Sequence, residues 1–139
     1  MCQTKHKWIS KVLFVAYCIF IVWYTLLTRN ATATPAIDMR FMWSYREMLA
    51  GDINWKKDVI QNLLNIVFFV PFGILFPLKK WIVILISSCA FSVLIEAAQY
   101  YFRLGLCELD DVICNTLGAM IGFWLLIGVK KIVRITHEA

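Results

Sequence analysis

The sequence predicts an all-α membrane protein with four transmembrane helices and both termini cytoplasmic. A short amphipathic helix is expected in the outer connection after the first of them. Three observations carry this prediction. Hydrophobic residues make up 61% of the 139 residues and charged residues 17%, whereas a soluble domain is nearer half apolar and a quarter charged. A chain this short cannot hide so much apolar side chain inside one globule, because small domains keep a large surface for their volume. The charges are also bunched between long apolar runs instead of being dispersed along them, as spanning segments require. The bases, finally, are distributed unevenly among the connections. The whole chain, residues 1–139, reads as a single membrane domain.

The first run is Trp8 to Thr28, the second Val59 to Leu78, the third Trp81 to Tyr101 and the fourth Val112 to Val129. At 1.5 Å rise per residue each covers about the hydrocarbon thickness of a bilayer. The first run is longer than a cleavable signal core, and Tyr24 to Arg29 offer no clean small-residue cleavage site, so a retained helix is expected. Cys2 has no apolar stretch before it and is read as a structural thiol, not a lipidated one.

Lys5, Lys7 and Lys11 precede or open the first helix, Lys79 and Lys80 form the turn between the second and third, and Lys130, Lys131 and Arg134 follow the fourth. Only Glu138 opposes them. The other connections mix Arg29, Arg40, Arg46, Lys56, Lys57 and Arg103 with Asp38, Glu47, Asp52, Asp58, Glu108, Asp110 and Asp111. Lys and Arg favour the cytoplasmic side, which places the N-terminus, the Lys79–Lys80 turn and the tail inside. The net charge of +5 is then a topological signal and not a nucleic-acid footprint. Trp8, Trp23, Tyr24, Trp81, Tyr100, Tyr101 and Trp124 fall mostly near run ends, where interfacial aromatics belong.

The outer loop, residues 29–58, is the only long connection. Pro35 punctuates it, and Asp38 has the character of a helix N-cap. Phe41, Met42, Tyr45, Met48 and Leu49 share one helical face, and Gly51 supplies a stop. This reads as a helix lying on the membrane surface; the alternative is a loop tethered by Phe41 and Trp43. The Asn30-Ala31-Thr32 sequon lies against the membrane exit and carries no weight here.

The polar groups inside the apolar runs point to a site. Asn62 and Asn65 lie near the outer end of the second helix, Glu96 and Gln99 near that of the third with Arg103 just beyond, and Asp110, Asp111 and Asn115 open the fourth. All fall at one depth. Ser92, Glu96, Gln99 and Arg103 are spaced to lie within about 60° of one another on a helix, and Asp111, Asn115, Gly118 and Gly122 share a second stripe. A carboxylate inside a spanning helix is costly and normally faces the bundle interior or water. Two readings follow. In one, these residues line a polar cavity, and Glu96→Gln spares folding but removes function. In the other, Glu96 takes bonds from the asparagines and Arg103, while Asp110 or Asp111 caps the fourth helix. Pro71 with Gly73 should kink the second helix, and the Gly118–Gly122 pair should let the fourth press onto the third.

Catalytic and metal signatures are missing from the sequence. His6 and His137 sit in the tails, and there is no HExxH, CxxC, P-loop or GxSxG. No cofactor or metal is expected. Cys107 and Cys114 are close enough to leave a disulfide open, although small buried side chains suit them better.

Asn62-Leu-Leu-Asn-Ile-Val-Phe-Phe-Val-Pro-Phe-Gly73, then Glu96-Ala-Ala-Gln99, then Asp110-Asp-Val-Ile-Cys-Asn-Thr-Leu-Gly118 with Gly122 resemble the pattern of the VanZ-like family. The resemblance runs from about Asp38 to Trp124 and takes in Trp43-Ser-Tyr-Arg46. It departs just before the acidic run, where many members carry a basic residue and an aromatic and this chain has Gly105, Leu106 and Cys107. The resemblance implies a small bacterial plasma-membrane protein of a group associated with low-level resistance to the lipoglycopeptide teicoplanin. It implies no settled reaction.

The function expected from residues and resemblance together is a non-enzymatic envelope protein with an outward-facing intramembrane polar cavity. The cavity would be lined by Asn62, Asn65, Glu96, Gln99, Arg103, Asp110, Asp111 and Asn115. Its partners would be the lipid bilayer and a lipid headgroup, cell-wall precursor or lipoglycopeptide, with no nucleic acid. The alternative is a membrane-embedded hydrolase or transferase using Glu96 and Asp111 as acid and base on a lipid-linked substrate. A small transporter subunit, with Glu96 in a proton relay, is a third reading.

Overall fold

A computed structural model describes residues 2–27, 36–51, 55–78 and 80–138. In chain order it has α1 (Cys2–Leu27), β1 (Ala36–Asp38), α2 (Trp43–Ala50), α3 (Trp55–Leu75), α4 (Trp81–Tyr101), β2 (Leu106–Glu108) and α5 (Leu109–Glu138). Four of the helices are long and apolar enough to cross a membrane, over Trp8–Leu27, Lys56–Leu75, Trp81–Tyr101 and Leu109–Thr136. The Asn30 sequon, Pro35 and Lys79 lie outside the described residues.

The bundle is built around α3 and α5, which run parallel with almost no space between them. A Cβ on Gly118 would strike the carbonyl of Ile66, one on Gly122 that of Val70, and one on Gly73 that of Ala119. Small residues therefore meet from both sides, and the two backbones touch. This corrects the expected packing of Gly118 and Gly122 against the third spanning helix, α4. Gly73 adds a third glycine to the same contact from the α3 side. Pro71 sits inside α3 without ending it, and the helix runs on to Leu75.

Ile21, Phe69, Phe72, Phe76, Ile84, Ile95, Ala119 and Phe123 form the apolar core. α1 joins it from the side. Phe14 packs edge-on against Phe72 and Phe76 at 5.0 and 5.2 Å between ring centroids, and the Tyr17 hydroxyl donates to the Phe68 carbonyl at 2.7 Å. The outward faces carry exposed Ile, Leu, Val and Trp along all four long helices, a surface that lipid solvates and water does not. Trp8, Trp23, Trp81 and Trp124 are among the exposed side chains.

At one end of the bundle the connections form a cap not legible from periodicity. β1 pairs in parallel with β2, Ala36 to Leu106, Ile37 to Cys107 and Asp38 to Glu108, tying the connection after α1 to the one before α5. Three-residue strands are too short to show an alternating pattern. Asp38 is consequently not a helix cap. It lies in β1, and its carboxylate is forked by the Arg40 guanidinium, which holds its pKa below the usual range. α2 starts later, after Met42 in the left-handed conformation (φ 48°), and stops at Gly51 (φ 78°). Tyr45 and Met48 of the expected apolar face are half-buried, whereas Leu49 is 84% exposed.

The acidic pair is also placed differently from expectation. α5 begins at Leu109, so Asp110 and Asp111 lie inside its first turn and neither is the cap. There they complement the positive end of the helix dipole. α4 ends at Tyr101, where its apolar run ends, and Arg103 lies beyond it. Arg103 is left-handed (φ 57°), its N–H donates to the Tyr100 carbonyl, and the Leu104 N–H donates back to Gln99 at 2.8 Å. This is a Schellman closure, with arginine at the position glycine usually takes.

Candidate functional site

Asn62 and Asn65 of α3, Ser92, Glu96 and Gln99 of α4, and Asp110, Asp111 and Asn115 of α5 all come to the capped end of the bundle. Asn62, Glu96, Gln99, Asp110, Asp111 and Asn115 are each at most 5% exposed. Asn65 is half-buried and Arg103 is exposed, away from the interior level it was expected to share. Such burial of polar groups is tolerable only where partners are supplied.

The partners divide the set. Asn65 Nδ2 donates to Asp111 Oδ1 at 2.6 Å, joining α3 to α5. Asn115 Nδ2 donates to Ser92 Oγ at 2.8 Å, joining α5 to α4. Gln99 Nε2 donates to the Thr25 carbonyl at 3.3 Å, joining α4 to the last turns of α1. Glu96 Oε2 accepts the Glu108 N–H at 3.1 Å, and Asp110 Oδ1 accepts the Met42 N–H at 2.5 Å. These last two carboxylates hold the cap: Glu96 fastens β2, and Asp110 fastens the entry to α2. Gln99 Oε1, Asp110 Oδ2 and Trp43 Nε1 are buried with no hydrogen-bond partner among the described residues.

The cap packs closely over this level. Burial pushes the Cys107 thiol pKa up, and the nearby carboxylates of Glu96, Asp111 and Glu108 push it further. Burial raises the Tyr45 pKa, with Cys114 and Asp110 adding to it. Cys107 and Cys114 are both free thiols, Cys114 buried and Cys107 half-buried. Among the described residues, no three His, Cys, Asp or Glu side chains gather as metal ligands would.

Beside these bonds is a cavity of about 260 Å³, lined by Tyr24 and Thr25 of α1, Gln61, Leu64, Asn65, Phe68 and Phe69 of α3, and Asn115 of α5. Two of the sequence candidates, Asn65 and Asn115, reach its wall. Asn62, Glu96, Gln99, Arg103, Asp110 and Asp111 do not. Among the described residues the wall is therefore uncharged. Its aromatic side is Tyr24 stacked on Phe68, with ring centroids 4.6 Å apart. Gln61 was overlooked in the sequence although a signal existed: Gln61, Asn65 and Phe68 follow i, i+4, i+7 spacing on one face. The part played by α1 had no such signal, because its contribution depends on which face of the bundle it packs against.

Comparison with known proteins follows the same stretch of chain. A sequence profile described as VanZ/LLP1 matches residues 14–133. Among characterised proteins, Protein VanZ of Enterococcus faecium is 24% identical over 127 residues, covering 86% of this chain and 74% of that protein. No solved structure gives a significant match.

Proposed function

The chain belongs to the VanZ/LLP1 family, and from that membership we propose a non-enzymatic protein of the bacterial plasma membrane that contributes to tolerance of teicoplanin-type lipoglycopeptides. Its working part is the intramembrane polar cavity, opening on the outer side. One observation supports this most directly: Asn65, Asn115, Gln61 and Thr25 converge on a single void, and polar residues that carry function within a spanning region face the bundle interior or a water-filled cavity. The hydrolase or transferase reading draws no support, since neither Glu96 nor Asp111 lines the cavity.

The test is expression in a teicoplanin-susceptible Gram-positive host. Leu64→Trp, which fills the cavity from its rim, and Gln61→Leu, which removes a polar wall group with no described bond, are both expected to fold normally. Each should return susceptibility to the level of the empty vector. Full tolerance in both variants at wild-type abundance would overturn the cavity as the working part.

Sidedness rests on the bases. By sequence, the connections opposite the cap carry Lys5, Lys7, Lys11, Lys79, Lys80, Lys130, Lys131 and Arg134, against Arg29, Arg40, Arg46, Lys56, Lys57 and Arg103 on the cap side, and the side richer in Lys and Arg belongs in the cytoplasm. In a chain cleared of native cysteines, a membrane-impermeant thiol reagent is expected to label new cysteines beside Gly51 and Gly105 in intact cells. Sites beside Lys80 and His137 should stay unlabelled until the cells are lysed. The reverse pattern would invert the orientation and put the cavity on the inner side.

A further inference from the structure

The way the cavity amides are already engaged determines which of their atoms can receive a ligand. Asn65 Nδ2 donates to Asp111 Oδ1. An ionised carboxylate only accepts, so the Asn65 amide is fixed with its nitrogen toward Asp111 and its carbonyl oxygen turned away. Asn115 Nδ2 is turned to Ser92 on α4, a helix that contributes nothing to the cavity wall. No described donor reaches the Oδ1 of either asparagine, and neither oxygen is sealed in the protein. The cavity thus presents acceptor oxygens, with the Gln61 carboxamide beside them and the stacked Tyr24 and Phe68 rings as a wall.

These features select among headgroup chemistries. A phosphate brings only acceptors and negative charge, which the Asn65 and Asn115 oxygens cannot satisfy, with the Asp111 carboxylate directly behind Asn65. An ammonium group would be desolvated with no carboxylate among the described wall residues to pair it, an unfavourable exchange. Neutral hydroxyls suit every element. They donate to the asparagine oxygens and accept from the Gln61 amide, while the C–H face of a sugar ring packs on the aromatic wall. About 260 Å³ is small for a ligand pocket and matches one ring-sized headgroup. Leu64, on the rim, is 46% exposed on the lipid-facing surface, which makes the membrane the source of the ligand.

Resting on the proposal that the cavity is a ligand site, we infer that it takes the neutral, hydroxyl-bearing glycosyl headgroup of a membrane lipid. Asn65 and Asn115 act as acceptors, and Tyr24 and Phe68 form the platform. The full chain, purified without sugar-based detergent, is reconstituted in bilayers of equal parts glucosyl diacylglycerol, phosphatidylglycerol and phosphatidylethanolamine. Lipid retained on the protein is then read by native mass spectrometry.

The glucosyl lipid is expected to be retained about five- to tenfold over the other two, the worth of one or two hydrogen bonds. Gln61→Leu and Leu64→Trp should each abolish the preference while leaving thermal stability unchanged. Methyl glucoside in solution should not displace the lipid. Preference for phosphatidylglycerol or phosphatidylethanolamine, no preference at all, or displacement by methyl glucoside would each overturn the inference. The antibiotic assay separates this failure from the broader one: loss of tolerance in the cavity variants without glycosyl preference defeats only the choice of ligand.

Discussion

Gly118→Ala and Gly122→Ala are each expected to lower stability by about 1–3 kcal/mol, the range for forcing a methyl group into a filled interior. Leucine at either position should prevent folded protein from accumulating. At Gly118 the new Cβ would meet the Ile66 carbonyl and at Gly122 that of Val70, in both cases closer than real Cβ contacts occur. The obstacle is helical backbone, which cannot rotate aside as a flexible side chain can. Gly73→Ala should be similar from the other side, since its Cβ would meet Ala119. Gly128 has open space where its Cβ would lie, so Gly128→Ala should be neutral or gain up to about 1 kcal/mol from helix propensity. Thermal unfolding of the four alanine variants in one detergent decides it, and equal tolerance at Gly118 and Gly128 would refute backbone contact between α3 and α5.

Glu96→Leu and Asp110→Leu are the second pair of strongly destabilising changes. Each removes the acceptor for a backbone N–H, that of Glu108 or of Met42, and leaving such a donor unsatisfied costs about 1–3 kcal/mol. Glu96→Gln and Asp110→Asn keep a carbonyl oxygen at the same place and relieve the desolvation of a charge. They should stay within about 1 kcal/mol of the parent. Limited proteolysis adds a readout specific to the cap: the leucine variants should be cut sooner in residues 36–51 and 102–108, with the helices protected. Because Glu96 is off the cavity wall, Glu96→Gln is also expected to retain antibiotic tolerance. Loss of tolerance in an abundant, stable Glu96→Gln protein would return the charge itself to the site.

The four long helices were legible in the sequence because a bilayer imposes a length and a composition that no tertiary contact needs to supply. Trp81–Tyr101 agrees at both ends, whereas α3 begins four residues before Val59 and stops three short of Leu78, and α5 begins three residues before Val112 and runs nine past Val129. The gathering of Asn62, Asn65, Glu96, Gln99, Asp111 and Asn115 toward one end of the bundle was readable from alternating helix directions and residue counts. Family membership was readable too, from four motifs in order.

Rotation and partnership were decided only in three dimensions. Spacing puts Gly118 and Gly122 on one stripe, but that the stripe faces α3, where Gly73 meets Ala119 in the same contact, is set by the packing of the bundle. Asp110 and Asp111 are adjacent in sequence, yet one holds the backbone of Met42 across the cap and the other holds Asn65 within the bundle. β1 and β2 come from connections separated by about half the chain, and their pairing left no local pattern. The same reason removed the carboxylates from the cavity wall. Periodicity reports the face on which a side chain lies, whereas its partner depends on which backbone N–H the fold brings within reach.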